Sequence, residues 1–181
     1  MNNLKKKYIE EVVPKMKEKF GYTNILSVPK IKKTVVNIGI NVDISKDKNI
    51  LEDIAKNLAL ITGQKPAPRQ AKKAIAGFKI RQGMTLGLKV TLRGYRMYDF
   101  LSRLVNIVLP RTRDFRGLNL SCVDQSGNLN IGIKECIIFP EISQEKIKKN
   151  FGLEVSIVTD SKSKEESLEL FNLLGFPIKH G

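Results

Sequence analysis

Apolar residues recur along this chain at two spacings. Intervals of three and four residues predict amphipathic helices, because they place one apolar stripe along each helix. The predicted helices cover residues 4–20, 47–62, 95–109 and a last segment after Ser163. Proline clashes inside a helix, so Pro14 should kink or split the first helix and Pro110 should end the third. The predicted stripe of the first helix contains Leu4, Tyr8, Ile9, Val12, Val13, Met16 and Phe20.

Helix boundaries are also visible in the sequence. Gly21 and Gly63 are expected C-terminal stops, because glycine readily adopts the left-handed conformation that ends helices. Ser163 and Glu166 have the spacing of a capping box at the start of the final helix. The predicted core face of that helix consists of Leu170, Phe171 and Leu174.

Alternation of apolar and polar residues predicts strands. The predicted strands cover residues 34–40, 65–71, 86–94, 128–133, 135–139 and 153–159. Strands and helices mix without strict alternation, and several strands have one apolar face. The sequence therefore predicts an α+β fold of two layers, with helices on one face of a mainly antiparallel sheet and the other face open. Residues 1–181 fit a single domain.

The open face of this sheet is predicted to carry polar and small residues. If Leu88 and Val90 face the helices, then Lys89, Thr91 and Arg93 face outward. The same alternation directs Asn37 and Gly39 outward on the first strand, and Asn128, Asn130 and Gly132 on a later one. Such a surface suits structured RNA, which is recognised by shape, phosphate and 2′-hydroxyl contacts. The alternative is a plain solvated sheet face.

The distribution of charge favours the RNA interpretation. The chain has a net charge of +14, and residues 65–116 hold thirteen Lys and Arg against two acids, a balance of +11. Residues 1–64 balance at +5 and residues 117–181 at −2. Localised positive charge indicates a polyanionic partner, because each neutralised phosphate releases counterions.

Much of this charge lies in two predicted loops, residues 71–85 and 111–117. The first is polar and flanked by glycines, so we expect it to be mobile. Phe78 and Phe115 lie in these loops and either stack on bases or anchor the loops by burial. Asp114 is expected to pair with a neighbouring arginine.

The sequence offers no catalytic or metal-binding set. It has no glycine-rich phosphate loop, and its single histidine is His180, next to the C-terminal residue. The two cysteines, Cys122 and Cys136, are too few for a disulfide scaffold and are expected to be reduced and partly buried. We see no secretory signal and no apolar run near the roughly 20 residues of a membrane span. We therefore expect no enzymatic activity, metal, cofactor or membrane partner.

Several motifs resemble the large-ribosomal-subunit protein five family of the bacterial type. The resemblance spans nearly the whole chain in register. The segments that carry it are Thr62–Pro66, Ala76–Gly83, Lys89–Gly94, Leu109–Gly117, Ile137–Ile142 and Leu174–Pro177.

The resemblance implies a structural ribosomal protein without catalytic activity or cofactor. Members of this family bind 5S rRNA and attach it in the central protuberance of the large subunit. Asn37, Gln64, Thr91 and Arg93 match the family's RNA-contacting residues, and Lys65 and Lys89 would add charge beside them. The basic loop resembles one that approaches P-site tRNA, through Lys72, Lys73, Lys79, Arg81 and Gln82. Further implied partners are large-subunit rRNA, 5S-associated ribosomal proteins and a small-subunit protein across the intersubunit bridge.

Two segments depart from the family pattern. The first strand continues as Gly39–Val42, where the family usually has Gly-Val-Gly. The turn at Val123–Asn128 lacks an Arg and a Gly of the usual motif, so its family contacts are not carried over.

The expected location is the ribosome of a bacterium, in its cytoplasm, or of a plastid. A free-standing RNA chaperone or regulator that uses the same surface is the alternative function.

Overall fold

The computed structural model describes residues 3–113, 115–143 and 147–179, without the side chains of Asp43 and Lys46. The predicted pairing of Asp114 and the position of His180 lie outside the described residues.

The first predicted helix is confirmed, with an altered turn in its middle. Helix α1 (Asn3–Lys7) continues through a π-helical turn (Tyr8–Val12) into α2 (Val13–Phe20). Leu4, Val12 and Met16 are buried, whereas Ile9 is 47% exposed, so its assignment to the apolar stripe was wrong. The buried positions are spaced in multiples of four because the π-helical turn is wider than an α-helical one.

A π-helical turn also interrupts the third predicted helix. Helix α5 (Gly94–Arg103) continues through a π-helical turn (Leu104–Val108) into α6 (Leu109–Arg111). The prediction that Pro110 ends this helix was therefore wrong. The Leu109 N–H bonds to the Leu104 carbonyl, five residues back. A widened turn just before a proline moves the preceding carbonyl away from the pyrrolidine ring, so the helix can continue.

The remaining helices have well-formed ends. Helix α3 (Val42–Lys46) was not predicted, and α4 (Lys48–Thr62) follows it. The Asp47 side chain caps α4, and Gly63 ends it at φ 66°. Helix α7 (Lys164–Leu174) is capped by the Ser163 hydroxyl, which accepts from the Glu166 N–H. The Glu166 carboxylate accepts from the Lys162 N–H instead of completing a capping box.

Five strands form one antiparallel sheet in the order β2-β3-β1-β5-β4. They are β1 (Ile31–Gly39), β2 (Ala67–Gln70), β3 (Thr85–Leu92), β4 (Leu129–Ile133) and β5 (Leu153–Thr159). The strand predicted at 135–139 was wrong, because Cys136–Ile138 forms a 3₁₀ turn. The Cys136 N–H bonds to the Phe151 carbonyl at 3.0 Å. Cys136 and Phe139 are both buried, at the three-residue spacing that a 3₁₀ turn places on one side.

The two-layer α+β arrangement is confirmed. Val36, Ile38 and Ile40 of the β1 segment are buried, and Leu88, Val90 and Leu92 of β3 are buried with them. Helices α3 and α4 pack against β3, and α4 buries Ile54, Leu58 and Ile61. Burial of these apolar side chains contributes about 1.5–3 kcal/mol each.

The chain divides into two compact units. The first unit comprises Met1–Thr34, Arg93–Ile131 and Ser156–Gly181, and the second comprises Val35–Leu92 and Gly132–Val155. In the first unit, α1 packs against α5, and α7 packs against α2 and the first π-helical turn. That residues 1–181 form one domain stays a prediction.

Candidate nucleic-acid interface

The outward residues of the second unit's strands form a polar surface. We call this surface the open face and define it as Asn37, Gly39, Lys89, Thr91, Gly132 and Glu154. Asn37, Gly39, Gly132 and Glu154 are exposed, while Lys89 and Thr91 are half-buried. Asn130, predicted to share this orientation on β4, is half-buried. The alternation that predicted the outward positions on β1 and β3 therefore agrees with their burial.

Asn128 was wrongly placed in the outward set, because it is a turn residue before β4. Its N–H and its side-chain amide both donate to the Asp124 carboxylate, at 2.8 and 3.0 Å. Burial alone would raise the pKa of Asp124, but these bonds, a bond from Ser126 and nearby Lys164 lower it below its usual value. The turn that departs from the family pattern is thus held by its own hydrogen bonds.

Backbone pairing brings Asn37 and Lys89 together. The Ile40 N–H bonds to the Leu86 carbonyl at 2.9 Å. Continuing that antiparallel register places Asn37 directly opposite Lys89. Side chains in such opposing pairs are neighbours on one face of the sheet. An amide and an ammonium group are therefore presented side by side.

The side chain of Gln64 is hydrogen-bonded to β3, the strand that carries Lys89. Gln64 follows Gly63, the left-handed residue that ends α4, and its Nε2 donates to the Thr91 carbonyl at 3.4 Å. The Thr62 hydroxyl donates to the Leu58 carbonyl at 2.7 Å and shares its proton with the Gln64 carbonyl at 3.1 Å. The Gln64 side-chain oxygen and the Thr91 hydroxyl form no hydrogen bond that the described residues show, so both remain available to a partner.

The two other predicted contact residues are exposed. Lys65 follows Gln64, and Arg93 follows β3 as the residue before α5, with an extended backbone. Within the described part of the chain, neither has an ion-pair partner. Both cations can therefore approach a phosphate without first breaking a salt bridge.

A depression of about 480 Å³ opens on the open face. It is lined by Asn37, Gly39, Gly132, Gly152 and Glu154, among others. A Cβ atom added at Gly39 or Gly132 would meet nothing within 4 Å, and neither glycine has a positive φ. The fold itself therefore does not require glycine at these two positions. Glycine there leaves space for the close approach of another molecule.

Glu154 is the residue of this surface that the sequence interpretation missed. It lies on β5 between buried Leu153 and Val155, so the alternation used for β1 and β3 would have found it. An exposed carboxylate can only accept hydrogen bonds. It repels phosphate but can bind donors such as ribose hydroxyls and base amino groups.

The basic loop at 71–85 is a closed hairpin that extends β2 and β3. The Ala71 N–H bonds to the Met84 carbonyl at 2.8 Å, and Ile75 pairs with Ile80. Lys79 adopts φ 55°, an uncommon conformation for a residue other than glycine, and ends a 3₁₀ turn (Ala76–Phe78). The predicted contact residues Lys72, Lys73, Lys79, Arg81 and Gln82 are all exposed. The predicted mobility of this loop stays a prediction.

The two loop phenylalanines differ. Phe78 is 70% exposed, so the interpretation that burial anchors it was wrong. Phe115 is half-buried. An exposed phenylalanine near cations is typical of residues that stack on nucleic-acid bases.

The described residues also bear on metal binding, disulfide formation and membrane-spanning helices. The described residues hold no group of three or more His, Cys, Asp or Glu that could bind a metal ion. Cys122 is half-buried and Cys136 is buried, and neither forms a disulfide in the described part of the chain. Burial raises the pKa of the Cys136 thiol. In the described part of the chain, no helix has the length and apolar character of a membrane span.

Comparison with known proteins identifies the family of this chain. Residues 24–81 match the family model described as ribosomal protein L5, and residues 85–178 match the model of the C-terminus of the same ribosomal family. The chain is 50% identical over 177 residues to the large ribosomal subunit protein uL5 of Halothermothrix orenii, covering 98% of each chain. It is 51% identical over 179 residues to uL5 of Dictyoglomus turgidum, covering 99% of each.

A relative named uL5c from Spinacia oleracea is 50% identical over 181 residues, which cover all of this chain and 70% of that protein. Bacterial and chloroplast relatives agree with the expected ribosome of a bacterium or plastid. The chain belongs to the ribosomal protein L5 family of the bacterial type, whose members are structural and non-enzymatic constituents of the ribosome.

Proposed function

We propose that this chain is a structural protein of the large ribosomal subunit that binds 5S rRNA and attaches it in the central protuberance. The observation that carries the proposal is the open face, which presents the Asn37 amide opposite the Lys89 ammonium group, and a depression lined by Asn37 and two unobstructed glycines. Membership in the L5 family supports the ribosomal setting. Asn37, Gln64 and Thr91 would supply directed hydrogen bonds, and Lys65, Lys89 and Arg93 would neutralise phosphates.

The opposing pair of Asn37 and Lys89 supports two kinds of contact in one place. The ammonium group of Lys89 provides charge, which strengthens binding without selecting a sequence. The amide of Asn37 both donates and accepts, so it can distinguish base edges or ribose hydroxyls. A surface that combines both can hold one folded RNA in one register.

Glu154 would accept hydrogen bonds from donor groups of the same RNA. A carboxylate beside phosphates costs affinity through repulsion. We infer that Glu154 contacts a 2′-hydroxyl or a base amino group, because a carboxylate accepts hydrogen bonds from such donors strongly.

The hairpin at 71–85 would reach P-site tRNA through its exposed cations, with Phe78 as a stacking side chain. Its internal hydrogen bonds, such as Ile75 to Ile80, support a preformed shape for that contact. Large-subunit rRNA, 5S-associated ribosomal proteins and a small-subunit protein across the intersubunit bridge complete the proposed partners.

The test is salt-titrated filter binding of 5S rRNA by the wild-type chain and the Arg93→Ala variant. We expect Arg93→Ala to weaken binding by roughly 1–3 kcal/mol, the range of one specific charged contact. Lys56→Ala is the matched control, because Lys56 is an exposed cation on α4, the helix that packs against the opposite side of β3. Full affinity of Arg93→Ala would reject the assignment of Arg93, and absence of 5S binding by the wild type would reject the proposed function.

A further inference from the structure

We propose that the start of α5 is a stacking platform for an unpaired RNA base, with Tyr95 as the stacking ring and Arg93 and Arg96 as flanking cations. This inference rests on the proposed RNA-binding function. It adds a base contact by an aromatic residue to the proposed hydrogen bonds and phosphate contacts.

Tyr95 is unlike the other tyrosines of this chain. Its side chain is 69% exposed, and all four tyrosines lie in the described residues. Tyr98 is buried, Tyr22 is half-buried, and the Tyr8 hydroxyl donates to the Pro29 carbonyl. Tyr95 is thus the single tyrosine whose ring is free to meet another molecule.

The first turn of α5 fixes the direction of this ring. Arg93 is extended at φ −141° and Gly94 has φ 59°, so the chain turns sharply from β3 into the helix. Met97, Phe100 and Leu101 are buried and define the core side of α5. At 100° per residue, Tyr95 lies on the opposite side of the helix, so it cannot be buried without unwinding this turn.

The surroundings of Tyr95 favour a polyanion. Arg93, Gly94, Tyr95 and Arg96 are four consecutive exposed residues. The nearest acid on the same side of the helix is Asp99, which pairs with Arg103 at 3.4 Å. The first turn has no acidic residue and no side-chain cap. Positive charge therefore dominates around the ring.

An exposed aromatic side chain flanked in sequence by two arginines suits the binding of a nucleic-acid base. Bases stack on tyrosine regardless of sequence, because every base has a π-face. The arginines can contact the phosphates on either side of the stacked nucleotide or stack themselves. Stacking needs an unpaired base, so the proposed ligand is a loop or bulge nucleotide of structured RNA.

The first experiment separates stacking from charge. Binding of 5S rRNA is measured over a series of salt concentrations for the wild type, Tyr95→Ala, Tyr95→Phe and Arg96→Ala. We expect Tyr95→Ala to weaken binding about 5- to 150-fold, as for the loss of one stacked base, with an unchanged salt slope. Tyr95→Phe keeps the ring and should retain most of the affinity. Arg96→Ala should reduce the salt slope by about 0.7–0.9.

The second experiment observes the contact directly. The chain contains no tryptophan, so Tyr95→Trp introduces a single tryptophan at the platform, and its emission can be excited apart from that of the tyrosines. Its fluorescence should be quenched by 5S rRNA but not by inorganic polyphosphate, which has charge and no bases. Leu26→Trp is the matched control, because Leu26 is 82% exposed and lies in a different segment of the first unit. We expect its fluorescence to be unchanged by 5S rRNA.

The outcomes distinguish this inference from the function on which it rests. If the wild type binds 5S rRNA, Tyr95→Ala binds equally well and the Tyr95→Trp signal is unquenched, the platform is refuted while the proposed function stands. Equal quenching by polyphosphate would also refute stacking. A wild-type chain that does not bind 5S rRNA would overturn both.

Discussion

Gly132→Ala should separate the stability of the protein from its affinity for RNA. Gly132 lies in β4 on the open face, and an added Cβ would meet no atom of the protein within 4 Å. Alanine loses less conformational entropy on folding than glycine, by about 0.5–1 kcal/mol within a strand or helix. At about 2–4 °C per kcal/mol for a chain of this size, Tm should rise by about 1–4 °C.

The same methyl group should weaken RNA binding. If a nucleotide fills the depression, the methyl group occupies its space, and overpacking of a fitted contact costs about 1–3 kcal/mol. This range corresponds to about a 5- to 150-fold increase in Kd. Thermal unfolding and filter binding of 5S rRNA measure the two effects on the same preparation.

Gly87→Ala is the control, because it should lower the stability of the protein where Gly132→Ala should raise it. A Cβ at Gly87 would lie 2.9 Å from the Ile38 carbonyl oxygen, a backbone atom that cannot move away without distorting the sheet. We expect this variant to lose about 1–3 kcal/mol of unfolding free energy. If Gly132→Ala binds 5S rRNA with unchanged Kd while its Tm rises, the depression is not part of the RNA interface, and this reasoning is wrong.

Two further changes test other parts of the account. Glu154→Ala removes a negative charge that repels phosphate, yet we expect 5S binding to weaken by about 1.5–3 kcal/mol, because a charged hydrogen bond to RNA is lost. Glu11→Ala, which removes an exposed acid from the N-terminal helical segment, is its filter-binding control, and stronger binding by Glu154→Ala would contradict the proposed contact. The lowered pKa of Asp124 means that its contribution to stability is present above the ordinary value of 3.8 and is lost as pH falls through the lowered value. Urea unfolding at a series of pH values from above 3.8 downward should show this loss in the wild type and a smaller one in Asp124→Asn; identical pH profiles would refute it.

The sequence predicted which residues of β1 and β3 face outward because that information is local. Side chains of a strand alternate with a period of two, so Leu88 and Val90 could be assigned inward and Lys89 and Thr91 outward without knowledge of the sheet. The same rule would have placed Glu154 on the open face. It was missed because the alternation was followed only on three strands.

Other features depend on contacts between distant residues. The 3₁₀ turn at Cys136–Ile138 is held by a bond from Cys136 to Phe151, fifteen residues away, and local β propensity could not reveal it. The contact between Gln64 and Thr91 spans 27 residues and depends on how α4 packs. The family resemblance named both residues, but only the structure brought their atoms together.

The prolines show how a local rule can fail. Pro110 has the expected conflict with an α-helix, but the π-helical turn before it removes the clash. The π-helical turn Tyr8–Val12 likewise ends two residues before Pro14, so both helices accommodate an internal proline in the same way. Residue propensities describe regular helices and do not anticipate a widened turn.

The central claim is that the open face, and not the helical side, meets the RNA. Lysine acetylation of the free chain and of its complex with 5S rRNA, read by mass spectrometry, tests it directly. We predict that Lys65 and Lys89 are protected in the complex while Lys56 on α4 stays reactive. Protection of Lys56 with unchanged reactivity of Lys65 and Lys89 would contradict the account.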